Sequence, residues 1–321
     1  MTTRLISPTL QLVSVIALSA GMLSTGLSAA DVTNTPSVGS GKPDEVRPPT
    51  LNSWELPSLT VQGKAPSTVR DDQYVGSYGQ PRWSTARRWS EVRSYVIPEG
   101  QVEFEYWFVM SSPSRNEKKA NPDAVSEIKQ LYEVEMGLGY RFQLDLYQVW
   151  AKEGNKGDNK LDKTKFELRY ALADWDVLWG NPTLYGEWGQ AASGPDSAEF
   201  KLLLSDDLAS RWAWATNFVW EQQTGAEREL ALEWNSAIGY SAIDEKLSIG
   251  VELAMAQVSK LDDDTVNGGF TGHRSHVYEV SAGPSIRFHP TPHAHIILTE
   301  FFGLNNDAHE NRTTLIAGWE F

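Results

Sequence analysis

The chain has 321 residues, a formal net charge of -14 and no cysteine. The negative charge excludes nucleic acid as a main partner, because phosphate backbones bind basic surfaces. The lack of cysteine excludes disulfide frameworks, thiol catalysis and cysteine-based metal sites.

Residues 1–30 have the pattern of a secretory signal peptide. Arg4 precedes an apolar stretch, and small residues up to Ala30 provide a cleavage site before Asp31. A membrane anchor is the alternative, but the serines and glycines in the apolar stretch make it a weak spanning helix. We therefore expect export and cleavage near Ala30.

Residues 31–98 form an arm without sustained periodicity. Its first part, "NTPSVGSGKPDEVRPPT", predicts a flexible or extended periplasmic segment that is mostly unstructured. Its second part is the most basic stretch of an acidic protein, with Trp83 and Trp89 beside four arginines: Arg82, Arg87, Arg88 and Arg93.

From residue 99 to residue 321, apolar and polar residues alternate with period two. The segment "QVEFEYWFVM" sets Val102 and Phe104 on one face and Glu103 and Glu105 on the other. The alternation recurs in about twelve segments, each near the ~9–11 residues with which a tilted strand crosses a bilayer. Aromatic residues, 11% of the chain, lie toward the segment ends, as in the girdles of membrane barrels.

The connections alternate in length. Short ones are predicted near Arg141, 174–181, 205–209, 241–245 and 289–292. Longer polar ones are predicted at 111–127, 152–164, 191–197, 222–227, 259–274 and 304–311. Short turns at one end and long loops at the other are typical of an outer-membrane barrel.

The polar face distinguishes a barrel from a soluble β-sandwich, which is the alternative fold. A sandwich would present mostly Lys and Glu to water, whereas here Glu alternates with Gly, Ala and Ser, which suits a confined interior. The sequence thus predicts an all-β protein, an antiparallel transmembrane β-barrel of about 12 strands over 99–321, with the arm at 31–98.

The chain resembles Gram-negative outer-membrane β-barrel proteins as a class, through its signal peptide, its amphipathic strands and its ending "LIAGWEF". In that class the last strand typically ends on Phe, which the assembly machinery reads as an insertion signal. Trp319 and Phe321 fit this pattern. The resemblance implies location in the outer membrane, with membrane lipid and the barrel assembly machinery as partners.

The predicted inner face is acidic with a few arginines. An acidic wall favours passage of cations, whereas Glu–Arg networks also fill and rigidify a narrow barrel, and both interpretations stay open. The predicted lumen-lining residues are Glu103, Glu105, Glu133, Glu135, Glu167, Arg169, Glu187, Arg211, Glu229, Glu233, Glu252, Glu279, Arg287 and Glu320.

The basic arm and the acidic lumen suggest a hypothesis that joins them. The four arginines of the arm could enter the lumen as a plug, because guanidinium groups pair well with carboxylates. The alternative is a flexible periplasmic tether or a segment that binds a partner.

Two local patterns suggest chemistry weakly. The motif "HPTPHAH" gathers His289, His293 and His295, a weak candidate for Zn or Cu without an evident fourth ligand. The motif "HRSH" places His273 and Ser275 on one strand face, as a hydrolase would need. No cofactor is expected.

The function that these patterns favour is passage of small solutes, cations among them, through the outer membrane. A closed structural or binding barrel is the alternative, and an outer-membrane hydrolase is less favoured.

Overall fold

The computed structural model describes residues 74–154, 157–225, 228–263 and 270–321. The expected signal peptide and the Pro/Gly-rich part of the arm, up to residue 73, lie outside the described residues. A short hairpin, β1 (Tyr74–Val75) and β2 (Gln80–Pro81), and a 3-10 helix at Ser84–Ala86 precede the main sheet.

Twelve antiparallel strands form a closed barrel in which each strand pairs with the next and the last pairs with the first. The predicted fold class and strand number are therefore confirmed. The strands are β3 (Val102–Ser111), β4 (Glu127–Gly139), β5 (Phe142–Glu153), β6 (Lys160–Ala171), β7 (Thr183–Ala191), β8 (Ser197–Ala209), β9 (Trp212–Gln223), β10 (Leu230–Ile243), β11 (Leu247–Asp263), β12 (Phe270–Thr291), β13 (Ala294–Gly303) and β14 (Asn311–Glu320).

The two faces of each strand divide as the alternation predicts. Large apolar side chains such as Phe104, Phe166 and Phe218 are exposed on the outside, the face that is apolar in membrane barrels. Glu103 and Glu105, which flank Phe104 on β3, are fully buried on the inside. Among the described residues, no helix has the length and apolarity to cross a bilayer.

The two ends of the barrel differ. At one end four of the five turns have two or three residues; the turn between β4 and β5 consists of Tyr140 and Arg141, both with positive φ. The fifth, predicted as a short turn at 174–181, is the longer connection 172–182 between β6 and β7. At the other end the connections are longer. One carries α1 (Arg115–Ala120), whose N-terminus is capped by Ser114 in a capping box with Glu117. Short turns face the periplasm in this architecture, so β3 starts and β14 ends at the periplasmic side.

Residues 82–98 run inside the barrel before the chain turns into β3. They contact strands from opposite parts of the wall, including β4, β9, β11 and β14, through the side chains of Arg87 and Arg93 and the backbone of Ser90 and Glu91. We refer to these residues as the plug. The sequence left open whether this segment plugs the barrel or lies outside it, and the structure places it within the lumen.

Candidate functional site

The inner wall carries eight acidic residues that are direct cross-strand neighbours on eight consecutive strands. Glu320 on β14 lies opposite Glu103 on β3, and each further step reaches an acidic residue on the next strand. Like charges directly opposite one another destabilise a sheet, so this arrangement needs compensating charge. We refer to the set as the carboxylate ladder: Glu320, Glu103, Glu135, Asp145, Glu167, Glu187, Glu199 and Glu221.

The ladder rises along the barrel. Glu320 is the last residue of β14, at the periplasmic end, whereas Glu221 lies near the end of β9, at the long-loop end. Direct neighbours lie perpendicular to the strands, and barrel strands tilt against the axis, so a line of neighbours climbs as it goes round. The ladder therefore extends from one rim of the lumen to the other.

The plug neutralises the periplasmic part of the ladder. Nη2 of Arg87 lies 2.5 Å from Glu103 and 3.2 Å from Glu135. Nη1 of Arg87 lies 3.1 Å from Glu320. Nη2 of Arg93 lies 2.7 Å from Glu105, which flanks the ladder on β3, and 2.9 Å from Glu135. Both arginines are buried, so these are ion pairs withdrawn from water.

The wall itself neutralises the rest of the ladder with cations placed two residues from an acidic residue. On β6, Nε of Arg169 pairs with Glu167 and lies 3.3 Å from Asp145. Nζ of Lys165 lies 2.8 Å from Glu187. On β8, Nζ of Lys201 lies 2.5 Å from Glu199. Two parts of the ladder therefore differ. The lower ladder, Glu320, Glu103 and Glu135, is compensated by the plug. The upper ladder, from Asp145 to Glu221, is compensated by fixed wall residues.

The tip of the plug, residues 89–92, is held by polar contacts to the wall. The backbone N–H groups of Ser90 and Glu91 donate to the carboxylate of Glu252 at 3.0 and 2.9 Å. Thr299 donates to the same carboxylate at 2.9 Å. The carboxylate of Glu91 accepts a hydrogen bond from Arg312 at 2.9 Å. A buried carboxylate on β11 therefore orients the turn of the plug.

Small residues on the wall make room for the plug. A Cβ on Gly239 or Gly250 would lie 2.3 or 2.4 Å from the indole of Trp89. A Cβ on Gly137 would lie 1.9 Å from the carbonyl oxygen of Pro98. Gly137, Gly239 and Gly250 are thus sites where plug atoms touch the wall.

The base of the plug rests on an apolar cluster and on the periplasmic turns. Trp83 meets Trp175, in the connection between β6 and β7, edge to face at 4.8 Å.

In the β1–β2 hairpin, the N–H of Tyr78 donates to Glu245 at 2.9 Å. Burial raises the pKa of the Glu245 carboxyl, against the opposing effect of that hydrogen bond. At the rim Asp207 pairs with Arg82 at 2.5 Å and with Arg88 at 3.1 Å.

Two cavities lie on the two sides of the tip. A cavity of about 330 Å³ at the periplasmic rim is lined by Arg88, Trp89 and Gln80 among others. A cavity of about 150 Å³ is lined by Ser90, Glu91 and the wall residues around Lys165 and Lys201. The tip of the plug stands between these two spaces.

The residues predicted to line the lumen occupy three kinds of position. Most are buried on the inner wall. Glu233 and Glu279 are half-buried and share a smaller cavity with Glu91, and Glu229 precedes β10. Arg211 lies elsewhere, exposed in the turn after β8, where it donates to the hydroxyl of Tyr240. The structure adds charged lumenal residues that the sequence analysis did not single out, among them Asp145, Lys165, Glu199, Lys201 and Glu221.

The three candidate metal-binding histidines do not come together. His289 and His295 are buried in the lumen, whereas His293 is exposed and stacks on Trp319 at 6.2 Å. Donor atoms of His289, His295 and Glu320 do lie within 4.8 Å of one another. However, Arg287 lies 3.3 Å from Nδ1 of His289, which places the imidazole proton on Nε2, and Glu320 pairs with Arg87. This donor set fits a guanidinium network better than a metal ion.

The candidate Ser–His pair lies on β12 near the long loops. His273 is exposed, and Ser275 is half-buried and pairs with Lys260 across to β11. The assignment of these two residues to catalysis stays a prediction.

No protein-family model and no curated protein matches the chain. Among solved structures, an outer-membrane channel from Pseudomonas putida F1 is similar, with a TM-score of 0.53 and 10% identity over 70% of this chain and 97% of that chain. The fold is that of the Gram-negative outer-membrane β-barrels. The NanC porin aligns less closely, with a TM-score of 0.43 and 12% identity over 68% of this chain and 98% of that chain.

Proposed function

We propose that the protein is an outer-membrane channel for small solutes whose periplasmic half is closed by its own plug. The observation that carries the proposal is the position of Arg87 and Arg93. Both guanidinium groups are buried among carboxylates of the inner wall of a closed barrel. A segment inside the lumen obstructs the bore, so passage of a solute requires that the plug move.

The link between plug and barrel allows such movement. Gly100 lies between the plug and β3, has a φ of +80° and has no atom within 4 Å of the position of a Cβ. This conformation is one that glycine adopts without strain. Gly100 and Gln101 are hydrogen-bonded through their backbone to Gly137 of β4, so in this proposal the plug swings toward the periplasm on the plug side of Gly100 while β3 stays in the sheet.

Cations are the preferred solutes in this proposal. Departure of the plug removes Arg87 and Arg93 from the lower ladder and leaves its carboxylates facing the bore. Acidic walls favour cations and exclude anions. The upper ladder keeps its own lysines and Arg169, so the acidic region is confined to the periplasmic half.

Planar-bilayer recordings test the proposal. Wild-type protein should rest closed with rare openings, whereas the double variant Arg87→Gln/Arg93→Gln should conduct steadily with a preference for cations. The reverse control uses the absence of cysteine from the chain. In Ser90→Cys/Thr299→Cys, oxidation or a short bifunctional thiol reagent should hold the plug in place, since both residues contact Glu252.

The closed structural or binding barrel remains the competing function, and the same recordings separate the two. A channel shows conductance that falls on cross-linking and, where the cross-link is a disulfide, returns on reduction. Silence of the double variant in properly folded barrels would instead favour the closed barrel.

A further inference from the structure

The wall around Arg93 is built as a receptor for a guanidinium group. Nη2 of Arg93 lies 2.7 Å from Glu105 and 2.9 Å from Glu135. The guanidinium carbon lies 4.6 Å from the ring of Trp107, within the range of a cation–π contact. These three are wall residues, so they stay in the lumen when the plug leaves, whereas Tyr95, which also contacts the Arg93 guanidinium, belongs to the plug and leaves with it.

Trp107 also fixes the carboxylates of this receptor. Its indole N–H lies 2.9 Å from Glu105 and 3.0 Å from Glu133. Carboxylate oxygens of Glu105, Glu133 and Glu135 lie within 4.8 Å of one another. Oε1 of Glu133 is fully buried and has no hydrogen-bond donor among the described residues. The receptor thus has capacity for a further cationic donor even with Arg93 present.

A second guanidinium site lies next to the first along the ladder. Arg87 presents two nitrogens to three wall carboxylates, those of Glu103, Glu135 and Glu320. A planar group with several N–H donors uses this spread of acceptors better than a spherical ion does. The shared carboxylate of Glu135 connects the two sites, so a cation leaving one is already in contact with the next.

We propose that the lower ladder, together with the flanking Glu105 and Trp107, selects organic cations bearing a guanidinium group, and that Arg87 and Arg93 occupy these solute sites in the closed state. This inference rests on the proposed channel function and names its substrate class. The plug acts as an internal competitor of the solute. Inorganic cations are less favoured, since a guanidinium is more weakly hydrated and gains more from the face of Trp107.

Chemical rescue tests the receptor without requiring transport. In full-length Arg93→Ala, the thermal unfolding midpoint should fall, and millimolar methylguanidinium should restore part of it. Methylurea, which has similar shape and no charge, should restore none. Equal effects of the two probes, or no effect of either, would overturn the proposal.

A permeation assay tests the substrate class and does not need the Arg93→Ala variant to fold. Proteoliposomes carrying Arg87→Gln/Arg93→Gln should admit L-arginine about fivefold faster than L-citrulline, its neutral ureido analogue. Glu105→Gln added to that variant should abolish the preference, whereas Glu229→Gln, which precedes β10 and does not contact Arg87 or Arg93, should keep it. Equal rates for arginine and citrulline would overturn the proposal.

The two experiments separate this inference from the channel function. If no variant admits any solute but methylguanidinium still rescues Arg93→Ala, the channel function fails and the guanidinium receptor stands. If solutes pass without discrimination and rescue is absent, the channel function stands and the receptor fails.

Discussion

Trp89 of the plug lies so close to Gly239 of β10 that a methyl group on residue 239 would come within 2.3 Å of the indole. A contact this close couples the plug to the backbone of the wall, where a side chain cannot simply turn aside. Substitutions here should therefore destabilise the closed state more than they destabilise the barrel.

Gly239→Ala should displace Trp89 and raise the open probability of the channel in planar bilayers. Because the added Cβ would also approach the carbonyl oxygen of Ile249 at 2.7 Å, Trp89→Ala supplies a second variant that leaves the wall intact. Removing a buried Trp side chain costs about 3–5 kcal/mol, and in Trp89→Ala this loss destabilises the docked position of the plug. Gly186→Ala is the control, since its Cβ would meet Phe200 at an ordinary 3.7 Å. Unchanged open probability in both test variants would contradict the docking role of Trp89.

Arg169→Gln should destabilise the barrel as a whole, in contrast to changes in the plug. Arg169 is the wall cation between Asp145 and Glu167, and its loss leaves two buried carboxylates short of a partner. Breaking a buried ion pair costs about 3–5 kcal/mol, whereas an exposed pair is worth about 0–1 kcal/mol. The unfolding midpoint in denaturant measures this, with Lys118→Gln, in an exposed pair with Glu310, as the control. Equal midpoints for the two variants would show that the ladder needs no compensation.

Asp207→Asn should loosen the periplasmic rim of the plug and raise the open probability modestly. Asp207 accepts from both Arg82 and Arg88, and its side chain is partly exposed, so each pair contributes only about 0–1 kcal/mol. The matched control is Asp174→Asn, whose partner Arg141 belongs to a wall turn. A larger effect from the control than from Asp207→Asn would place the rim contacts outside the gating path.

Deletion of Phe321 should lower the yield of inserted barrel without changing the conductance of the molecules that do insert. Phe321 is exposed, and its N–H donates to the carbonyl of Val102 at 3.0 Å, where β14 closes onto β3. Insertion is measured by the gel mobility of unboiled against boiled membranes. Phe302→Ala, which removes an exposed aromatic from β13, controls for lost apolar surface. Equal yields for the two variants would contradict a role of Phe321 in insertion.

The barrel could be predicted from the sequence because the alternation within each strand identifies which side chains face inward and which face outward. Phe104 and Glu103 alternate on β3 whatever strand lies beside them, so facing follows from period two alone. The ladder could not be predicted in this way, since Asp145 and Glu199 join it only through the register of their strands. Sequence spacing fixes that register only when the turn at each hairpin is known.

The position of the plug could be predicted only in part. The arginines at 87 and 93 and the acidic inner face indicated that the two could meet. The partner of each arginine could not be read from the sequence, because contacts such as Arg87 with Glu320 join residues far apart in the chain. Likewise, Gly239 and Gly250 read as small residues in a narrow bore, and only the folded chain shows that they receive Trp89.

The carboxylate ladder also restricts how the gene for this barrel can change in length. Insertion of two residues within one strand preserves which side chains face lipid, so the amphipathic pattern would tolerate it. The same insertion would shift the acidic residue of that strand out of alignment with its neighbour on an adjacent strand, and an insertion in β7 that moves Glu187 would separate it from Lys165. Length changes should therefore be confined to the long loops, whose residues lie outside the ladder.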